Sequence, residues 1–313
     1  MKLQIIHSGP LLTIQDKGRF GYLKYGIGNA GAMDQKAYKR ANLLVGNTQG
    51  EAVLEATVMG PEIHFTEDCI CAITGADMKP MLNEVPIENN RPFLAPKDSV
   101  LRMGFTVNGC RSYLAFAGGI DVPMVMKSRS TDMKCQIGGL NGRKLQDGDE
   151  LDLGKSLVEY EQILRKGEKL SPEPMKYEKD ITVRVVMGPQ EYAFSEEGLQ
   201  TFLNEIYEVT SESDRMGIRL KGDEIASKAG VDIVSDGIAE GSIQVSSNGQ
   251  PIILMADHQT TGGYAKIATV ISVDLPLLAQ ALPGSKVKFQ KVELKEAQKI
   301  YKKCCGRHLF KRN

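Results

Sequence analysis

The segment from Ser242 to Leu275 constrains this chain more than any other. It reads as strand, turn, strand, polar loop, strand. Ile243 to Val245 leads into Asn248-Gly249, two residues that tolerate positive φ and close tight hairpins, and Pro251 to Met255 continues as an apolar run of strand length. After Ala256 the composition turns to Asp257, His258, Gln259, Thr260, Thr261, Gly262, Gly263 and Tyr264, before the β-branched run Ile267 to Val273 resumes. The spacing predicts a polar loop whose ends are fixed by two sheet strands, the setting in which binding and catalytic groups concentrate.

The chemistry of that loop has two readings. Thr260 and Thr261 offer hydroxyls, Gln259 offers donor and acceptor, and Gly262-Gly263 lets backbone N–H groups approach a ligand, a set suited to a carboxylate or oxyanion. The same residues also fit a glycine turn whose threonines bond their own backbone. His258 is open between general base and hydrogen-bonded structural residue.

Elsewhere short strands are punctuated by turns. Leu3 to Ile6 and Leu11 to Ile14 flank a turn at His7-Ser8-Gly9-Pro10, and Asp34 is a good N-cap for a helix over Gln35 to Val45. Alternation at Ile63, Phe65, Cys69, Cys71 and Ile73 predicts strands, Pro80 to Pro96 predicts turns, and Val100 to Phe105 and Ser112 to Ala117 predict strands across an Asn108-Gly109 hairpin. Glu161 to Asp180, charged and holding Pro172 and Pro174, predicts a linker. The expectation is two β-rich halves, 1–170 and 171–313, mainly β with a few helices, the strand pattern of the first favouring a barrel or sandwich. In the second half Ser195 caps a helix to about Tyr207 that buries Leu199, Phe202, Leu203 and Ile206, Asp274 caps a short helix, and Leu294 to Cys304 is helical. Arg215 is open between a ligand clamp and an ion pair with Asp214 or Asp257. Arg19, in a glycine-rich loop, is open between a carboxylate clamp and an ion pair with Asp16.

Composition narrows the function classes. Lys+Arg and Asp+Glu both number 39, so no net charge steers the chain toward nucleic acid or an anionic membrane. No apolar run reaches the roughly 20 residues of a membrane helix, and MKLQIIHSGP lacks a signal peptide's apolar core, so a cytoplasmic protein is expected. The six cysteines are read as reduced thiols, and Cys304, Cys305 and His308 match no zinc spacing, so no metal site is predicted. Met126-Lys127 lacks the second methionine of a biotin attachment motif and is read as a surface lysine. No GxxxxGK[ST], HExxH or GxSxG is present.

Ordered along the chain are Thr13-Ile14-Gln15-Asp16, Gly18-Arg19, Gly21-Tyr22, Gly31-Ala32-Met33-Asp34, Ser112-Tyr113-Leu114-Ala115, Gly118-Gly119 and Ser128-Arg129-Ser130-Thr131-Asp132. Gly138-Gly139, Gly142-Arg143, Met187-Gly188-Pro189-Gln190, Asp214-Arg215-Met216-Gly217, Gly241-Ser242-Ile243-Gln244, Gly249 to Leu254, Asp257 and Gln259 to Tyr264 follow. This series resembles the KipA family, the C component of 5-oxoprolinase (PxpC), which is similar to half of the biotin-dependent carboxyltransferase domain of urea carboxylase (urea amidolyase). Two positions depart from the pattern: Lys127 stands where glycine is expected, and Ala265 where proline is expected.

The resemblance implies a cyclophilin-like β-barrel architecture. It implies a subunit of an ATP-dependent 5-oxoprolinase that opens 5-oxoproline to glutamate with a KipI-like B component and a LamB/YcsF-like A component, ATP serving the complex. A small amide or lactam is then the substrate. Asp257, Thr260 and Thr261 become candidate catalytic residues, and Arg215, Gln244, Gln259, Gly262, Gly263, Tyr264 and Arg19 candidate substrate ligands. The alternatives are a regulatory antagonist that binds a KipI-like protein, and half of a carboxyltransferase acting on a urea-like acceptor.

Overall fold

The structure, a computed structural model, describes residues 2–48, 50–169 and 176–309. The chain forms two units, Met1–Tyr177 and Glu178–Asn313. The boundary expected at 170/171 lies outside the described residues.

The first unit is a two-sheet sandwich with a helix on one outer face. One sheet has six strands, including Lys2–His7, Glu62–Phe65 and Val100–Arg102; the other has five, including Leu11–Gln15, Val53–Thr57, Cys69–Asp77 and Asn108–Phe116. Inward residues of both sheets, among them Leu3, Ile63, Phe65, Leu54, Ile73 and Phe116, make one core. The far face of the five-stranded sheet is covered by the helix Gln35–Leu44, which buries Ala37, Tyr38, Ala41 and Leu44. Asp34 caps it, one carboxylate oxygen accepting the amides of Lys36 at 3.0 Å and Ala37 at 2.9 Å.

The second unit is a closed seven-stranded barrel. Around the wall run Asp180–Met187, Lys266–Val270, Ser242–Val245, Pro251–Leu254, Gly217–Lys221, Tyr207–Val209 and Lys286–Lys291, and the last pairs in parallel with the first. The Asn248-Gly249 hairpin forms as predicted, with Gly249 at φ +73° between the paired strands Ser242–Val245 and Pro251–Leu254. Ser195 caps the helix Glu196–Asn204 through the amide of Gly198 at 3.0 Å.

Several expectations are corrected. Residues 161–169 of the expected linker belong to the helix Tyr160–Lys169, which seats Ile163 in the core beneath the first unit's outer helix. A Cβ on Gly167 would fall 2.0 Å from Pro92 Cγ, so its glycine permits that close packing. Val100–Arg102 and Asn108–Phe116 do not form a hairpin, because the chain crosses between sheets and Asn108 is tied at both side-chain ends to the backbone of Tyr177. Three short strands, Met81–Leu82, Val85–Pro86 and Pro92–Ala95, run through the segment expected to be turns. Ile206 lies past the helix end and is exposed. Asp274 occupies an N-cap position, but its carboxylate goes to Arg184 rather than to the helix.

Candidate functional site

The expected polar loop is shorter than predicted, because Thr261–Tyr264 is itself a strand. It pairs antiparallel with Asp232–Gly237 in a separate two-stranded flap, with Gly237 opposite Thr261, Asp236 opposite Gly262 and Asp232 opposite Tyr264. Neither Gly262 nor Gly263 takes a positive φ. Glycine at 262 answers a packing need: a Cβ there would stand 2.7 Å from Gln244 Nε2 and 2.7 Å from Ile238 Cδ1. The flap is fastened at both ends, by Ile238 N–H to Thr260 O at 3.1 Å and by Ala265 N–H to Val231 O at 2.8 Å. That second bond uses the donor a proline at 265 would lack.

At one end of the loop Arg215, 4% exposed, holds Asp257 with two bonds, Nε to Oδ2 at 2.8 Å and Nη2 to Oδ1 at 2.9 Å. The ion pair with Asp257 is therefore the reading of Arg215 that holds, and neither group is a free clamp or a free base. Asp214 instead accepts the amides of Met216 and Gly217. Glu240, which the sequence reading missed, stands beside this pair, half-buried. Loss of water raises its carboxyl above the ordinary range; Arg215 opposes the shift and Asp257 adds to it. Its place directly before Gly241-Ser242-Ile243-Gln244 was the available signal.

Farther along, the amides interlock. Gln244 is buried and donates to Tyr264 O at 3.1 Å, while Gln259 Nε2 donates to Gln244 Oε1 at 3.3 Å. Gln259 Oε1 is a buried acceptor with no hydrogen bond among the described residues. His258 is buried and its Nδ1 meets Gln259 O at 2.7 Å, the contact expected of a hydrogen-bonded histidine. Since a carbonyl only accepts, the proton sits on Nδ1. Thr261 is exposed and Thr260 half-buried. Opposite Gln244 in the barrel wall is Lys266, a second residue the sequence reading passed over because it lies in an apolar strand. Its ammonium meets Asp236 Oδ2 at 2.6 Å and Gly237 O at 2.8 Å.

Arg19 belongs to the first unit. It is wholly buried, and its guanidinium donates to Val125 O at 3.2 Å and Ser130 O at 2.8 Å. Asp16 does not pair with it: that carboxylate accepts from the hydroxyls of Ser128 and Ser130 and from the amides of Gly18 and Arg129. Arg19 and Asp16 thus brace one loop cluster, and the substrate-clamp expectation for Arg19 is corrected by its burial. Two shallow depressions lie away from all these groups, one of about 440 Å³ beside Thr182, Leu203 and Phe289, the other of about 400 Å³ along Leu153 to Tyr160.

Taken together, the second unit gathers Arg215, Asp257, Gln244, Gln259, Gly262 and Tyr264 with Glu240 and Lys266 along the barrel wall and flap. The arrangement brings two ion-paired cations, two side-chain amides and a carboxyl raised above its ordinary range onto adjoining elements.

Comparison with known proteins places the chain in a lineage. Residues 25–291 match the family model for the carboxyltransferase domain, subdomain A and B. The chain is 38% identical over 291 residues to the 5-oxoprolinase C subunit of Haemophilus influenzae, covering 93% of this chain and 91% of that one. It is 39% identical over 298 residues to the 5-oxoprolinase C subunit of Escherichia coli, covering 95% and 93%. Among solved structures it is similar to the urea amidolyase of K. lactis, with a TM-score of 0.87 and 29% identity over 95% of this chain, which spans only 19% of that protein. With the model matching most of its length and two relatives matched nearly end to end, the chain belongs to the carboxyltransferase domain, subdomain A and B, family.

Proposed function

We propose that this chain is the C subunit of a multi-subunit 5-oxoprolinase, opening the lactam of 5-oxoproline to glutamate with consumption of ATP. The observation that carries the reading is the match to two bacterial proteins of that name over more than nine-tenths of both partners' lengths. The chemistry fits the residues. A lactam is resonance-stabilised, so its oxygen must be activated, here by phosphoryl transfer from ATP; one water then adds at the carbonyl carbon, the ring C–N bond breaks to leave an acyl phosphate, and a second water releases phosphate and the free carboxylate. We place ATP handling on the partner proteins, a KipI-like B component and a LamB/YcsF-like A component. This chain's share is then to hold and orient the lactam: Gln244 and Gln259 meet its amide, Thr260 and Thr261 extend the polar rim, and Arg215 holds Asp257 in place. Glu240, whose carboxyl is raised above its ordinary range by desolvation beside Arg215 and Asp257, is the candidate donor of a proton to the departing ring nitrogen.

The test is reconstitution. The chain is expressed with the two candidate partners, and 5-oxoproline-dependent ATP hydrolysis is measured with and without it. The rate is expected to fall to background when this chain is omitted; an unchanged rate overturns the reading.

A second reading has its own support in the likeness to urea amidolyase over 95% of this chain. Under it, this chain is half of a carboxyltransferase that moves CO2 from carboxybiotin to a urea-like acceptor. Incubating the chain with its partners, carboxybiotin and urea separates the two, because only the second reading consumes carboxybiotin.

A further inference from the structure

The ion pair between Lys266 and Asp236 is lopsided. Lys266 sits in the barrel strand Lys266–Val270 with its side chain 5% exposed, whereas Asp236 sits on the outer flap strand with its side chain 54% exposed. A buried ammonium needs a counter-charge, since its dehydration is costly. Here the counter-charge is half in water already. Asp236 also accepts the amide of its own neighbour Gly237 at 2.7 Å and lies 3.4 Å from Gln190 Nε2. The ammonium holds the Asp236 carboxyl below the usual carboxylate range, so it is an anion at neutral pH. Among the described residues Lys266 meets no other carboxylate.

We propose that Lys266 is the carboxylate-binding cation of the site, and that Asp236 competes with the substrate carboxylate for it. This inference rests on the reading of the substrate as a carboxylate-bearing lactam. The exchange is close to balanced: Lys266 is already dehydrated, one carboxylate replaces another, and Asp236 returns to water it half occupies. The neighbouring groups fit the rest of such a molecule. Gln244 stands opposite Lys266 in the barrel ladder, where cross-strand side chains lie roughly 5 Å apart. Gln259 is bonded to Gln244 and keeps Oε1 as a buried acceptor, matching the single N–H of a lactam ring. Gly262, lacking a Cβ, lets the flap strand lie directly against both glutamine amides. Carboxylate cation, amide acceptor and amide donor thus sit on adjoining residues.

The test titrates the full chain with acetate, 5-oxoproline and 2-pyrrolidinone, followed by amide chemical shifts in NMR. Acetate and 5-oxoproline are expected to bind, and 2-pyrrolidinone, which has no carboxylate, to bind at least tenfold more weakly than 5-oxoproline. Asp236→Asn removes the competitor and is expected to tighten both carboxylates at least threefold without affecting 2-pyrrolidinone. Lys266→Met is expected to abolish carboxylate binding, with circular dichroism reporting its fold; if that variant does not fold, Asp236→Asn decides alone. Unchanged or weaker carboxylate binding by Asp236→Asn, or full binding by a folded Lys266→Met, overturns the proposal. The acetate arm keeps this inference separate from the assignment of function. Acetate bound in the expected pattern while 5-oxoproline is ignored upholds the Lys266 site and removes the lactam as substrate.

Discussion

Arg215 and Asp257 are joined three times: by two side-chain bonds of 2.8 and 2.9 Å, and by the Asp257 amide donating to Arg215 O at 3.0 Å. The loop before Gly217–Lys221 and the loop after Pro251–Leu254 are therefore locked together at the point where the flap begins. Arg215→Ala leaves a carboxylate without its partner, and removal of one member of a buried pair typically costs about 3–5 kcal/mol. Asp257 retains some exposure, so the lower end of that range is expected, measured by urea unfolding. A loss below about 0.5 kcal/mol, the scale of a surface pair, contradicts the locking role.

Glu240 gives a pH signature. Its carboxyl is raised above the ordinary 4.5, first by desolvation, with Asp257 adding and Arg215 opposing. A raised acid leaves stability intact while both folded and unfolded chains hold the proton, below about pH 4.5, and lowers it as pH climbs through the folded-state value, because the unfolded chain ionises more readily. Glu240→Gln is thus expected to raise Tm at pH 8 and leave it nearly unchanged at pH 4. Equal shifts at both pH values would count against the desolvated carboxyl.

Lys127 carries strain that the glycine expected at this position would relieve. It stands at φ +64° after Met126 at φ +51°, in a two-residue turn closed by reciprocal bonds between Val125 and Ser128. A left-handed conformation costs a side-chain-bearing residue roughly 1–2 kcal/mol. Lys127→Gly is expected to stabilise the first unit by about 1 kcal/mol, less the added freedom of glycine in the unfolded chain. A lowered Tm in calorimetry sinks this account.

Gly262→Ala tests why the flap strand has a glycine in extended backbone. The new methyl group meets Gln244 Nε2 and Ile238 Cδ1, and Gln244 is held by its bond to Tyr264 O. Overpacking of this kind costs about 1–3 kcal/mol. The expected result is a loss in that range together with faster hydrogen exchange at the flap amides; unaltered exchange would show that the packing is slack.

What the sequence revealed depended on whether the signal was local. The caps at Asp34 and Ser195 and the Asn248-Gly249 hairpin are local chemistry, and each was legible. The flap was not: Thr-Gly-Gly-Tyr has poor strand propensity, and its partner Asp232–Gly237 faces water almost throughout, so neither strand shows alternation. The helix Tyr160–Lys169 hid beneath its charge, since among its described side chains little beyond Ile163 and Gly167 is buried. In the site, Asp257 and Arg215 were visible as residues, but their mutual engagement was settled only by the fold. Glu240 and Lys266 acquire meaning from neighbours far away in the chain, which no window of sequence contains.

The side-by-side run of Asp180–Met187 with Lys286–Lys291 has a consequence for biosynthesis. During translation the wall of the second unit stays open until residue 291 leaves the ribosome. Until that moment the nascent chain presents two bare strand margins, which invite pairing with a neighbouring polypeptide. Premature termination before this last strand therefore yields a sticky fragment, rather than a smaller working version of the same unit.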